Sequence, residues 1–166
     1  MKIPQKIIKF LGQNKIKYEI INHRTVFTAY DKAATLKVKP NMIGKTLVLK
    51  TDKDLVIALI PGNKNLDKNK AKKEINIWRR KQGLKPTKNV DFISEAVMKN
   101  KFKGIKIGAV PPFGNLYKLP TVVDRGLLKE KNIFLNSGIY ESSFKISPAV
   151  FKKMGNSIEG SFSKAK

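Results

Sequence analysis

Residues 45–50 read Lys-Thr-Leu-Val-Leu-Lys and residues 54–60 read Asp-Leu-Val-Ile-Ala-Leu-Ile. No other feature of the chain limits its fold as tightly. Apolar residues that run on without alternating belong to strands covered on both faces. The intervening Thr51-Asp52-Lys53 is short and polar, as a turn requires. The pair therefore predicts an antiparallel hairpin within a sheet that carries packed layers on either side, closed by Pro61-Gly62.

The rest of the chain supplies those layers. Ile3, Ile7, Phe10 and Leu11 recur at helical spacing, with Pro4 suited to a first turn and Gly12 to a stop. A short strand is expected over 17–21. Thr28, with Asp31 three residues on, has the form of a capping box opening a helix to about Leu36, and Pro40 closes that region. Ala71, Ile75 and Trp78 share one face of a helix predicted over 67–81. Ser94 caps a shorter helix near 96–100. Short strand candidates follow: Ile-Lys-Ile-Gly-Ala-Val from Ile105, Pro-Thr-Val-Val-Asp from Pro120, Asn-Ile-Phe-Leu-Asn from Asn132 and Ser-Phe-Lys-Ile-Ser from Ser143. Ser147-Pro148 starts a last helix, Gly155 stops it, and residues 156–166 are expected to form a loose tail. The expectation is one α/β domain over residues 1–155, with a mixed, curved, barrel-like sheet flanked by helices.

Composition narrows the chemistry. The 166 residues contain no Cys and one His, which excludes disulfides, thiolate nucleophiles and a His-rich zinc site. A carboxylate metal site stays open on composition, although the 12 Asp and Glu form no dense cluster; no cofactor is expected. No apolar stretch approaches the ~20 residues of a membrane span, and the Lys-interrupted start lacks a signal-peptide core, so a cytoplasmic location is expected. Thirty-five Lys and Arg against 12 Asp and Glu give a net charge of +23. Such a surface attracts a polyanion, because phosphates release counterions when lysines replace them. An AT-rich coding sequence, with its abundant Lys, Asn and Ile, would give the same bias. The densest basic stretch holds Lys70, Lys72, Lys73, Arg79 and Arg80, the first candidates for phosphate contacts.

Three further features could carry chemistry. The segment Asn-His-Arg-Thr-Val-Phe-Thr-Ala from Asn22 puts His23, Thr25 and Thr28 ahead of a helix. Lys45 opens an otherwise apolar strand. Gly108 precedes Pro112 by four residues, with Gly114 following. Glycine lets a backbone approach a ligand closely and proline holds the turn, so fixed amides there can face a carbonyl. Each feature also has a structural reading. Lys45 is one lysine among many, Gly108 and Pro112 are common turn formers, His23 suits a structural hydrogen bond, Thr28 a helix cap, and Asp124 a bond to loop amides.

In order and spacing, these features resemble the YbaK family, which includes the editing insertion domain of bacterial prolyl-tRNA synthetases. The resemblance runs from His23 through Lys45, the hairpin, Pro61-Gly62, the Gly108–Pro112 loop and Pro-Thr-Val-Val-Asp to Leu-Asn-Ser-Gly-Ile-Tyr-Glu-Ser-Ser-Phe-Lys-Ile-Ser-Pro. It implies a free-standing, metal-independent deacylase of mischarged aminoacyl-tRNA, such as Cys- or Ala-tRNA-Pro, that uses water and a ribose hydroxyl of the substrate. It implies that Lys45 is the main functional side chain and that the loop with Gly108, Ala109, Val110 and Pro112 contacts the substrate. His23, Thr25, Thr28, Gly114 and Asp124 are expected around the bound group, and the basic stretch on the tRNA. A synthetase is a further partner that the resemblance allows. The alternatives are a non-catalytic RNA-binding module or a synthetase-associated module of the same fold.

Overall fold

A computed structural model describes residues 2–154 and 157–166. The predicted hairpin is its centre. Strand β2 (Gly44–Lys50) pairs antiparallel with β3 (Leu55–Pro61), aligning Lys45 with Ile60. Six of the seven β3 residues are buried. Val56, Ala58 and Ile60 pack with Ala71 and Ile75 of helix α3 (Lys68–Lys81) and with Phe162. Leu59 packs with Leu127, Leu135 and Phe144, and Ile57 with Phe102 and Tyr117. Two covered faces are what the unbroken apolar run required.

The central sheet has the order β5 (Asp91–Phe92), β2, β3, β6 (Thr121–Asp124), β9 (Ser157–Gly160). It is mixed: β6 runs parallel to both β3 and β9. A second sheet places β8 (Ser142–Ile146) between β1 (Glu19–Asn22) and β7 (Ile133–Asn136), all antiparallel. An isolated bridge from Ile43 to Phe134 joins the two sheets at the start of β2. Among the described residues the strands form separate hydrogen-bonded sets that do not close into a barrel, so the barrel-like form expected is unconfirmed.

Local signals explain the helix boundaries. Helix α1 (Gln5–Gln13) begins after Pro4 and buries Ile7 and Leu11, although Gly12 lies inside it rather than ending it. Helix α2 (Ala29–Leu36) is capped by Thr28, whose hydroxyl accepts from the Asp31 amide at 3.0 Å. Asp67 caps α3 through the Lys70 amide, and Ser94 caps α4 (Glu95–Lys101) through Val97. Asp124 caps the short α5 (Arg125–Leu128), and Ser147 opens α6 (Pro148–Lys153). The expected stop at Gly155 lies outside the described residues.

Two expectations fail. The segment from Ile105 to Val110 is a series of turns, not a strand. The tail is not loose over its described residues. Strand β9 extends the central sheet, Phe162 is fully buried, and β10 (Ser163–Ala165) pairs with β4 (Lys64–Leu66). The Asp124 carboxylate fixes the tail by accepting from the Phe162 and Ser163 amides, each at 3.0 Å.

Candidate functional site

A cavity of about 460 Å³ opens where the N-terminal end of β2, the start of α2 and the loop before Val110 converge. Lys45, Thr28, Gly108 and Ala109 all line it. The hairpin register holds Lys45 in place, and burial lowers its ammonium below the usual lysine range, helped by the nearby Lys166. Its Nζ donates to the Lys64 carbonyl. Gly108 has φ +82°, a left-handed conformation natural to glycine, and a Cβ added there would meet open space. The residue is therefore required by its backbone geometry, not by crowding.

The loop is held by bonds that the sequence did not disclose. Asn136, at the end of β7, donates through Nδ2 to the carbonyls of Gly108 at 3.2 Å and Val110 at 3.3 Å. Its Oδ1 accepts from Lys32 Nζ at 2.8 Å. The Tyr140 hydroxyl donates to the Ile107 carbonyl at 2.6 Å, and the Gly138 amide to the Ala109 carbonyl at 2.9 Å. Lys32 is only 7% exposed, and burial pushes its ammonium down to about 8. Lys32, Asn136, Tyr140 and Lys166 all line the cavity. At its rim Phe27 is 71% exposed and meets Tyr140 edge-on, while the Lys166 ammonium lies over the Tyr30 ring. Among the described residues no group of three His, Cys, Asp or Glu is placed to hold a metal ion.

The cavity thus sets the Lys45 ammonium and the Gly108–Ala109 backbone against an apolar wall, and a fixed positive charge can stabilise negative charge developing on a carbonyl oxygen. The aminoacyl-tRNA editing domain family matches residues 23–154, which span the whole site but Lys166. The chain belongs to that family. None of the curated proteins compared with it matches. Among solved structures, this editing domain is similar to the hypothetical protein APE2540, with a TM-score of 0.78 and 21% identity over 96% of this chain and 99% of that one. It is also similar to a candidate trans-editing enzyme for prolyl tRNA synthetase, with a TM-score of 0.75 and 21% identity over 97% and 96% of the two chains. A signal transduction candidate from Marinobacter aquaeolei VT8 contains the fold as 31% of its length, with a TM-score of 0.66 and 17% identity over 98% of this chain. At these identities the likenesses show the fold.

The editing domain does not gather every residue expected at its site. His23 and Thr25 do not line the cavity. His23 Nδ1 lies 2.7 Å from the Arg24 carbonyl, which can only accept, so that nitrogen carries the proton and Nε2 meets the Ser143 hydroxyl at 2.9 Å. Val110 is buried with Phe102 and Tyr117. Pro112 and Gly114 face a separate, small pocket with Phe10 and Phe151. Gly114 donates its amide to Thr121 Oγ1 and has no room for a Cβ, so its role is packing. Asp124, as described, holds the tail. In the basic stretch Lys70, Lys73 and Arg80 are exposed and Lys72 is half-buried. Arg79 is not a surface cation. It is 7% exposed, donates to the Lys85 carbonyl and pairs with Asp54 at 3.1 Å.

Proposed function

We propose that this chain is an aminoacyl-tRNA deacylase that acts in trans on mischarged tRNA. The observation that carries the proposal is the meeting of Lys45 with the Gly108–Ala109 loop in one cavity of an editing-domain fold. Water adds to the ester carbonyl carbon, and the bond from that carbon to the ribose oxygen then breaks. The ribose oxygen takes the proton, and the amino acid leaves as a carboxylic acid. Lys45 supplies a fixed positive charge for the phosphate or carbonyl end of the substrate. The loop supplies rigid backbone dipoles, and a ribose hydroxyl of the substrate assists the water. An aminoacyl ester is already activated relative to an amide, so donors worth roughly 100–1000-fold each suffice.

The finer reading is a mischarged tRNA-Pro, carrying Cys or Ala, in keeping with the editing role given to the structural neighbour associated with prolyl tRNA synthetase. Metal-independent action in the cytoplasm completes the proposal, with the exposed Lys70, Lys73 and Arg80 of α3 and the half-buried Lys72 as the tRNA-contacting face. The test is release of each amino acid from a panel of purified mischarged tRNAs, repeated after chelation. Turnover of at least one member, undiminished by chelation when magnesium is supplied for tRNA folding, is expected. Binding without turnover would favour the non-catalytic alternative.

A further inference from the structure

The tail does more than extend the central sheet. Phe162 is fully buried, and the Asp124 carboxylate accepts from the Phe162 and Ser163 amides. Strand β10 then runs along β4, with Ala165 opposite Lys64. The Lys64 carbonyl is the one that accepts from Lys45 Nζ. The next residue, Lys166, therefore arrives at the same cavity as Lys45, and both line it. The matched editing-domain segment ends at residue 154, so this second lysine comes from outside it.

The setting of Lys166 is that of a cation without an anion. Lys166 is exposed, and its ammonium lies 4.1 Å from the centre of the Tyr30 ring at the rim. The ring attracts the charge through its face but offers no oxygen to the three N–H donors. Among the described residues Lys166 has no hydrogen-bond acceptor and no ion-pair partner. No Asp or Glu is among the described residues lining the cavity. Lys166 is also near enough to Lys45 to help hold its ammonium below the usual lysine range. Like charges set near each other repel, and an anion that meets both offsets that cost.

An aminoacyl-tRNA brings such an anion. Its ester and its last phosphate belong to the same terminal nucleotide, so an ester in the cavity carries that phosphate to the cavity or its mouth. We propose that Lys166 is a substrate-binding residue, which takes the phosphate of the terminal, aminoacylated nucleotide and so orients the ester beside Lys45 and the Gly108–Ala109 loop. The inference rests on the deacylase reading and deepens it, because it gives the tail a part in holding the substrate. A phosphate contact of this kind positions the nucleic acid and does not itself break the ester.

The experiment uses the mischarged tRNA cleaved fastest in the panel above, in two forms. One carries its natural terminal phosphate, and in the other an uncharged methylphosphonate replaces that phosphate alone. Values of kcat and KM are measured at low salt for the unaltered protein, Lys166→Met and Lys166→Arg. Methionine keeps much of the lysine stem and removes the charge. On the natural form Lys166→Met is expected to raise KM about three- to tenfold, the range for one exposed charged contact, with kcat nearly unchanged. Lys166→Arg is expected to restore much of the loss. On the methylphosphonate form Lys166→Met is expected to make little difference, because the charge that Lys166 would meet is already gone.

A loss of equal size on both forms would give Lys166 a structural role in the tail or on the Tyr30 ring, and would overturn the inference. So would an unchanged KM on the natural form. Both results leave the deacylase reading intact, because the unaltered protein cleaves the tRNA in either case. Cleavage of no panel member would remove the deacylase reading, and the inference with it.

Discussion

The buried lysine beside Asn136 sets a pH dependence of stability that can be worked out in advance. Lys32 ordinarily titrates near 10.5, but in the folded protein its ammonium is pushed down to about 8 because burial removes its water. Between those values the unfolded chain holds a proton on Lys32 that the folded chain has released. Stability therefore rises with pH across that window, and the cost of burying the charge is present in full below 8. The span from about 8 to 10.5, at about 1.4 kcal/mol per pH unit, amounts to roughly 3 kcal/mol.

Other groups titrate in the same range, so the assay compares urea unfolding of the unaltered protein with that of Lys32→Met from pH 7 to 10.5. Methionine keeps the shape of the lysine stem but cannot ionise. It also leaves Asn136 Oδ1 without its donor, which costs about 1–3 kcal/mol at every pH. The offset between the two proteins is therefore uninformative and the slope of their difference is the result. The unaltered protein is expected to gain on the variant by roughly 3 kcal/mol as pH rises through the window. A difference that stays flat would show that Lys32 is solvated in the folded state, and its burial against Asn136 would be wrong.

Two further outcomes are expected. Gly108→Val places a β-branched residue at φ +82° and is expected to lose about 1–3 kcal/mol of stability from backbone strain, and more activity than folding; unchanged unfolding and unchanged deacylation would show that the loop accepts the substitution by moving. Neutralising Lys70, Lys72 and Lys73 together should weaken binding of full-length tRNA, with little effect on a minimal aminoacylated fragment. The log–log salt slope should fall by about 0.7–0.9 for each phosphate that no longer meets a lysine. An unchanged slope would place the tRNA on another face.

How much of this was legible in the sequence depends on the range over which each signal acts. The hairpin, the caps at Thr28, Ser94 and Ser147, and the burial of Ala71 and Ile75 on one face of α3 were readable because a few adjacent residues determine them, although Trp78, expected on that face, is only half-buried. Lys45 and Gly108 were singled out through a resemblance, and the fold brings both to one cavity. The residues that hold that cavity together were not readable. Lys32 and Asn136 are 104 positions apart, and neither belongs to a local motif. Nothing in the residues around Lys32 sets it apart from the other lysines of the chain, and its bond to Asn136 of β7 is a tertiary contact. Asp124 failed as a site residue for a related reason. Its partners, Phe162 and Ser163, lie in a tail whose polar composition hid one fully buried phenylalanine. The Ile105–Val110 segment has a strand-like composition, but Gly104 and Gly108 both have positive φ, which turns the chain away from any ladder.

The central claim is that a lysine on β2 and the adjoining loop hydrolyse an aminoacyl ester. Single-turnover release of the amino acid from the best mischarged tRNA, measured for the unaltered protein and for Lys45→Ala, tests it most directly. The variant is expected to remain folded, because the Lys45 side chain is half-buried and its hydrogen bond is to the Lys64 carbonyl at the cavity edge. It is expected to lose deacylation on the order of 100-fold or more. A folded Lys45→Ala protein that releases the amino acid at the unaltered rate would contradict the account.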